Sequence, residues 1–255
     1  MRFFVILACF AIQRFAHVRS VDYRIAWLST YVDWVKSKVA VLSDSSIWLS
    51  ICVFVLPSLI VVAIVSSLFF HLLGWIGYFI FSALLFWYFT DCCDFSKDVD
   101  ASQGENALIN QYYVDVFAPL FWYALLGPVG LVLYTVVLQL SALDHKVTDA
   151  RLAAPLDLLL IILNWVPLRL LGLTLALSGH FSSVFKLWFV SILKRLPNDG
   201  EVLSQWTLSA AQIHSESTEE PLSAEEITEI ISLYDRTLII WLAVGLLVLL
   251  AGVFG

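Results

Sequence analysis

Charge is what this sequence has least of. Aspartate, glutamate, lysine and arginine make up 14% of the 255 residues, where a soluble domain carries about 25%. Hydrophobic residues reach 60%. That balance excludes a soluble protein held by a single anchor, and it specifies a polytopic, all-α integral membrane protein. A basic patch is missing as well, which removes nucleic acid from the expected partners. The net charge of −7 is uneven, with most acids in two stretches, 91–105 and 199–235, that lie between apolar runs. Cysteine is scarce, at Cys9, Cys52, Cys92 and Cys93. None forms a C-x-x-C pair, and a zinc site needs four converging ligands at recognisable spacing. The four therefore read as reduced, structural thiols, and no metal is expected. No G-x-x-x-x-G-K-[ST] loop is present to cradle a nucleotide phosphate, and no cofactor is expected.

The first residues, M-R-F-F-V-I-L-A-C-F-A-I-Q, have the outline of a short signal sequence, one basic residue before about ten apolar ones. A small-x-small cleavage site does not follow, and Ile6-Leu7-Ala8-Cys9 makes a poor lipidation box. The expectation is an uncleaved helix docked on the membrane or on the bundle, too short to span alone because spanning takes about 20 residues.

Five apolar segments follow: 47–73, 75–90, 114–140, 153–178 and 238–254. Gly74 and Gly77 make the second the return arm of a helical hairpin over 47–90. Gly127-Pro128-Val129-Gly130 interrupts the third, and Pro167 lies inside the fourth. The core spans are expected within 114–178. Lysine and arginine placement sets orientation. With the N-terminus in the cytoplasm, eleven basic residues fall inside and two, Lys146 and Arg151, outside, so the expectation is a bacterial inner-membrane protein with its N-terminus in and its C-terminus out. Three segments are then cytoplasmic. In 13–46, Trp27, Tyr31, Trp34, Val35 and Lys38 recur at helical steps, which predicts an amphipathic surface helix. The second is the acidic loop 91–113. The third, 179–237, opens with an amphipathic helix over 184–196 and turns at Pro197-Asn198-Asp199-Gly200. It continues through the polar stretch 215–221 to the capping box Ser223-Ala224-Glu225-Glu226. From there one helix is expected to run into the last span. The acidic run 216–229 reads as a solvated face. No internal repeat is visible. Trp48, Trp75, Trp87, Trp122 and Trp188 fall near span ends, as an aromatic belt predicts. The whole of 1–255 reads as one membrane domain.

The segment 153–178 carries polar groups where lipid rejects them: Asp157, Asn164 and Arg169, with Pro167 between. A guanidinium at the bilayer centre costs roughly 2.5–3.5 kcal/mol even on a lenient insertion scale, so Arg169 must snorkel, pair or line a polar cavity. Proline removes a helix hydrogen bond and frees a carbonyl. One reading is a broken helix that aims Arg169 at a phosphate or carboxylate; the other is a kinked helix whose Arg169 pairs with Asp115 or Asp157 for assembly. Asp157 and Arg169 are separated by about 18 Å of helical rise, so Asp115, at the start of the third segment, is the better partner. Asn164 suits an interhelical hydrogen bond, and His180, just past the fourth segment, suits an interfacial polar group. Each is also a candidate ligand contact.

The run Tyr113-Val-Asp-Val-Phe-Ala-Pro-Leu-Phe-Trp-Tyr-Ala-Leu-Leu-Gly-Pro-Val-Gly, followed by Leu163-Asn-Trp-Val-Pro-Leu-Arg-Leu, resembles the AmpE and CobD/CbiB membrane families. Leu233-Tyr-Asp-Arg and Gln13-Arg14-Phe15 extend the resemblance. The CobD/CbiB branch implies a cobalamin-pathway ligase that joins an amino-alcohol phosphate to a corrinoid carboxylate with ATP. The AmpE branch implies an inner-membrane protein associated with β-lactamase induction, with no settled reaction. The ligase branch has E-N-x-x-D before A-P-L-F; here Asp115 keeps the last position, but Gln111 and Tyr112 replace the first two. Its N-T-L-D-S motif has only an imperfect counterpart in 138–144. Its Asp pair before N-W-V-P is Leu160 and Ile161 here, and Asp157 is the lone acid, an AmpE-like arrangement. The resemblance therefore implies a regulatory or signalling protein, without known catalysis, that responds to cell-wall state. An anionic small molecule is its expected ligand, at Asp115, Asn164 and Arg169, with Asp157, Gln111 and His180 as further lining. A membrane amide ligase and a small transporter remain as alternatives, and the sequence names no protein partner.

Overall fold

From Ile47 to Phe89 the chain has no charged side chain, and a run this apolar buries its backbone groups by coiling. The structure, a computed structural model, describes residues 4–10, 30–31, 47–90, 105–142, 150–193, 199–213 and 223–254. Every element among them is helical. In chain order these are α1 (Ile47–Phe89), α2 (Glu105–Tyr112), a π-helical turn (Tyr113–Phe117), α3 (Ala118–Leu126), α4 (Pro128–Ala142), α5 (Ala150–Ser178), α6 (Phe181–Leu193), α7 (Asp199–Ala211) and α8 (Ala224–Phe254). A short helix over 4–10 precedes them. Three stretches are long and apolar enough to cross a membrane: Ile51–Phe89, Ala154–Ser178 and Glu225–Val248. Pro128–Ala142 and Phe181–Ser191 are apolar but shorter. Most of the amphipathic helix expected in 13–46, the acidic loop 91–104, the turn residues 197–198 and the polar stretch 215–221 lie outside the described residues.

Contacts divide the chain into two units, Met1–Asp91 with Pro119–Leu163, and Cys92–Ala118 with Asn164–Gly255. In the first, α1 is two helical arms joined at Gly74, whose backbone leaves the helix at φ 67 and ψ −150. That left-handed φ is natural only to glycine. The arms fold back on each other, because Phe69 and Phe81 stack with ring centroids 5.2 Å apart, whereas a straight helix would separate them by about 18 Å. Gly77 lets them close: a Cβ there would lie 2.7 Å from the Phe69 carbonyl oxygen. Gly74 and Gly77 thus join two arms that lie against each other within Ile47–Phe89. Helix 4–10 docks on the return arm, with the Cys9 thiol donating to the Ala83 carbonyl at 3.4 Å and Phe10 against Phe86. Phe86 in turn meets Tyr123 edge-on. Tyr31 donates to the Phe54 carbonyl at 2.9 Å. Ser66 spends its hydroxyl on the Val62 carbonyl, which suits a helix in lipid. Leu56, Ile60, Ile64 and Leu68 form an exposed stripe at four-residue steps. In water such a patch would be an aggregation liability; against acyl chains it is the natural surface.

The third apolar segment does not form one span. Gly127 has φ 74, and a Cβ on Gly130 would collide with the Trp122 carbonyl. A straight helix would hold Trp122 and Gly130 about 12 Å apart, so the chain turns back between α3 and α4. The turn also occurs twice, an internal repeat that corrects the reading of a chain without one. Leu72-Leu73-Gly74-Trp75-Ile76-Gly77 and Leu125-Leu126-Gly127-Pro128-Val129-Gly130 build the same turn twice.

In the second unit, the part of α5 from Asn164 onward is packed by α6, α7 and α8. Gly172 lies under two indoles, with a Cβ there 2.6 Å from Trp206 and 2.7 Å from Trp188. Helix α6 therefore returns alongside α5. Helix α7 buries Leu203, Trp206, Thr207 and Ala210 on one face. Trp241 donates to Thr174 at 3.0 Å, and Ser178 and Thr237 share a hydrogen bond of 2.8 Å, which sets α8 antiparallel to α5. The capping box forms as expected: the Glu226 amide donates to the Ser223 hydroxyl at 3.3 Å, and the Ser223 amide to the Glu226 carboxylate at 2.8 Å. Helix α8 then runs unbroken from Ala224 to Phe254.

Candidate functional site

A π-helical turn fits one extra residue into a helix, and such turns are frequent at functional sites. Here it spans Tyr113–Phe117 and carries Asp115, half-buried, at its centre. The extra residue re-aims the side chains around it. Tyr113 turns inward, and its hydroxyl lies 3.0 Å from Asn164 Oδ1 and 3.2 Å from the Asn164 carbonyl. Phe117 packs on Tyr234 and Trp241 of α8, and Tyr112 stacks on Tyr234. Tyr234 also shares a 3.0 Å hydrogen bond with Thr207 of α7. The turn is thus fixed to α8 by aromatic contact and to α5 by one hydroxyl.

Asn164 is buried, 7% exposed. Both of its oxygens accept from the Tyr113 hydroxyl.

One turn further on, α5 carries Pro167 and Arg169. Of the two readings, a broken or a kinked helix, the break does not occur, because α5 is continuous from Ala150 to Ser178. A proline's fixed φ is compatible with helical backbone, and one missing donor is tolerated where neighbours enclose the helix; Pro167 is buried. Arg169 folds back one turn. It donates to the Trp165 carbonyl at 3.0 Å, and its guanidinium carbon sits 4.2 Å above the Trp165 ring. A cation over an indole gains roughly 0.5–2 kcal/mol, more when desolvated. The Arg169 carbonyl accepts the Trp188 indole N–H at 2.9 Å. Trp188, expected in an interfacial belt, is instead a packing residue of this unit.

The remaining candidates are more dispersed. Asp157 belongs to the first unit, is exposed, and accepts the Ser141 hydroxyl at 2.7 Å. Gln111 is exposed on α2. His180 is exposed at the corner between α5 and α6, where its backbone amide donates to the Ala210 carbonyl. Asp115, Asn164 and Arg169 all lie in the second unit. The sequence reading missed Tyr113, Trp165 and Gly172. The first two stand inside the quoted signature runs, but an aromatic residue in an apolar span carries no sign of its partner.

Residues 90–254 match the family of the regulatory signalling modulator protein AmpE. The chain belongs to this family. A protein of Shigella flexneri called AmpE is 32% identical over 128 residues, 47% of this chain and 45% of its own length. The chain thus spans about half the length of that relative. No solved structure matches. The matched region contains every candidate residue, from Gln111 to His180, and begins just after the first hairpin.

Proposed function

We propose that this chain is a regulatory signalling protein of the bacterial inner membrane that senses an anionic metabolite reporting on cell-wall state, with β-lactamase induction as its output. The family match supports the regulatory part. The metabolite site rests on one observation, the hydrogen bond from Tyr113 to Asn164, which ties the π turn bearing Asp115 to the helix bearing Arg169. A carboxylate or phosphate accepts from the Asn164 amide and from the Arg169 guanidinium, whose planar fork suits either anion. Asp115 is the counter-charge that the anion replaces. Because the turn also packs on Tyr234, its movement reaches α8 and the polar end of that helix. The basic residues ahead of the first hairpin, Arg2, Arg14, Arg19, Arg24, Lys36 and Lys38, support a cytoplasmic N-terminus.

The test uses Arg169→Ala and Asn164→Ala in the full chain, at matched membrane abundance. Both are expected to change β-lactamase induction, and purified wild-type protein is expected to show a thermal shift with inorganic phosphate or acetate that the variants lack. Normal induction by Arg169→Ala at normal abundance defeats the proposal.

A further inference from the structure

The first unit contains two copies of one turn. In each, a left-handed glycine, Gly74 or Gly127, ends the first arm. A second glycine, Gly77 or Gly130, then lets the return arm meet the carbonyl two helical turns back, of Phe69 or Trp122. Gly127 follows Gly74 by the same interval as Gly130 follows Gly77. The return arms, 75–89 and 128–142, are also equal in length at 15 residues, and α1 packs on α4.

Fifteen residues of helix rise about 22 Å, short of the roughly 30 Å hydrocarbon layer. The first arm of the first hairpin, 47–73, is longer, but where a hairpin leaves and re-enters one interface its shorter arm sets the depth of the turn. The composition of the tips agrees. A turn in water is built from Asn, Asp, Ser, Gly and Pro; these read Leu-Leu-Gly-Trp-Ile-Gly and Leu-Leu-Gly-Pro-Val-Gly. No aspartate, glutamate, lysine or arginine falls between Ile47 and Phe89 or between Val116 and Ala142. The tip side chains face outward: Leu72 is 71% exposed, Trp75 59% and Leu125 55%. In the second turn the irregular backbone is sheltered, since Gly127, Pro128 and Gly130 are buried; in the first, Gly77 is buried and Gly74 half-buried. Pro128 lacks the N–H that would otherwise be an orphan at a helix start, and the Gly127 amide is spent on the Tyr123 carbonyl. Lipid demands this satisfaction of backbone groups, and irregular chain at membrane depth survives only where protein covers it.

We propose that both hairpins are re-entrant, their glycine turns ending within the hydrocarbon of the bilayer, with acyl chains as the partner of the exposed Leu-Leu tips. Each hairpin then returns the chain to the side from which it entered.

The experiment uses the full chain with its four cysteines replaced by alanine, reconstituted in vesicles, and single cysteines at Leu72, Ile76 and Leu125. A charged maleimide is applied to both faces. The tip cysteines are expected to label about tenfold or more slowly than a cysteine at exposed Gln205, because hydrocarbon excludes the reagent and disfavours the thiolate. A fluorophore attached to each tip cysteine before reconstitution is expected to be quenched by lipids brominated on the acyl chain. The unaltered chain in nanodiscs provides a second readout, with slow hydrogen exchange expected at the amides of 74–77. Labelling at the Gln205 rate, or exchange as fast as in a free peptide, places the tips in water and overturns the proposal. Tips shielded from maleimide yet unquenched by brominated lipid are covered by protein, such as a second copy of the chain, and that result overturns it too.

Discussion

Tyr113 holds both oxygens of Asn164 with a single hydroxyl, 3.0 Å from the side-chain oxygen and 3.2 Å from the backbone one. The bond joins an irregular turn to a long helix at a buried point. Removing the hydroxyl in Tyr113→Phe leaves Asn164 without its acceptor role and is expected to cost about 1–2 kcal/mol. Asn164→Ala alone has a comparable cost, and the double variant loses little more than either single. Thermal or denaturant unfolding in detergent measures the cycle; strictly additive losses would show that the two residues do not act together.

Gly172 is the point where α5 meets two indoles. Gly172→Ala brings a methyl group within 2.6 Å of Trp206 and 2.7 Å of Trp188, an overpacking expected to cost about 1–3 kcal/mol. Trimming one indole in a Gly172→Ala, Trp206→Phe double variant recovers part of that loss. The melting temperature is the readout, and a double variant worse than the sum of its parts would contradict the steric account.

The glycines of the two turns separate into two classes. At Gly74 a Cβ meets nothing within 4 Å, so Gly74→Ala pays only for its backbone, whose φ 67 and ψ −150 fall in a region all but reserved to glycine, about 1–3 kcal/mol. At Gly77 and Gly130 the obstacle is a backbone carbonyl, which cannot swing aside. Alanine there is expected to destabilise the fold more than at Gly74. Equal melting temperatures for the three variants would remove the close-approach argument.

Some of these features were legible in the sequence and others were not. Gly74 and Gly77 marked the first hairpin because glycines interrupt an otherwise unbroken apolar run, and Ser223 with Glu226 marked the start of α8 because the capping box has a fixed spacing. The π turn leaves no such trace: one extra residue per turn changes no composition and no polarity. The second hairpin was hidden for a different reason. Away from its Leu-Leu-Gly and the following glycine, its side chains differ from those of the first, so backbone geometry reveals the repeat where residue identity does not. Arg169 was read for an anionic ligand or an acid, and its stacking on Trp165, four residues earlier on the same helix, leaves no mark in composition or spacing.

Cys9 offers a chemical test. Its thiol is buried against Ala83, and burial pushes it up to about 11. A thiol raised above its ordinary value stays protonated in the folded chain until the pH approaches that value. At pH about 8 only about one molecule in a thousand carries the thiolate, the form that reacts with alkylating reagents. In a variant retaining Cys9 alone, alkylation at that pH is expected to be slow in the folded protein and to speed up sharply on denaturation. Equal rates in the two states would show that helix 4–10 is not docked.

Ser223 anchors the capping box, and Ser223→Ala is expected to speed hydrogen exchange several-fold in the first turn of α8 while leaving exchange near Trp241 unchanged. Exchange monitored by mass spectrometry separates the two regions. A uniform increase along α8 would mean that the cap governs the whole helix.

Helix α8 has 31 residues without a break, a rod of about 46 Å, and the hydrocarbon layer takes up only about 30 Å of that. The remainder stands outside the lipid as a rigid extension of the membrane segment. There is no joint between the capped end and the buried part, so the rod behaves as a lever. A push on the capped end has to emerge as tilt or rotation among the aromatic side chains around Tyr234, and a shift at the π turn has to swing the capped end in return.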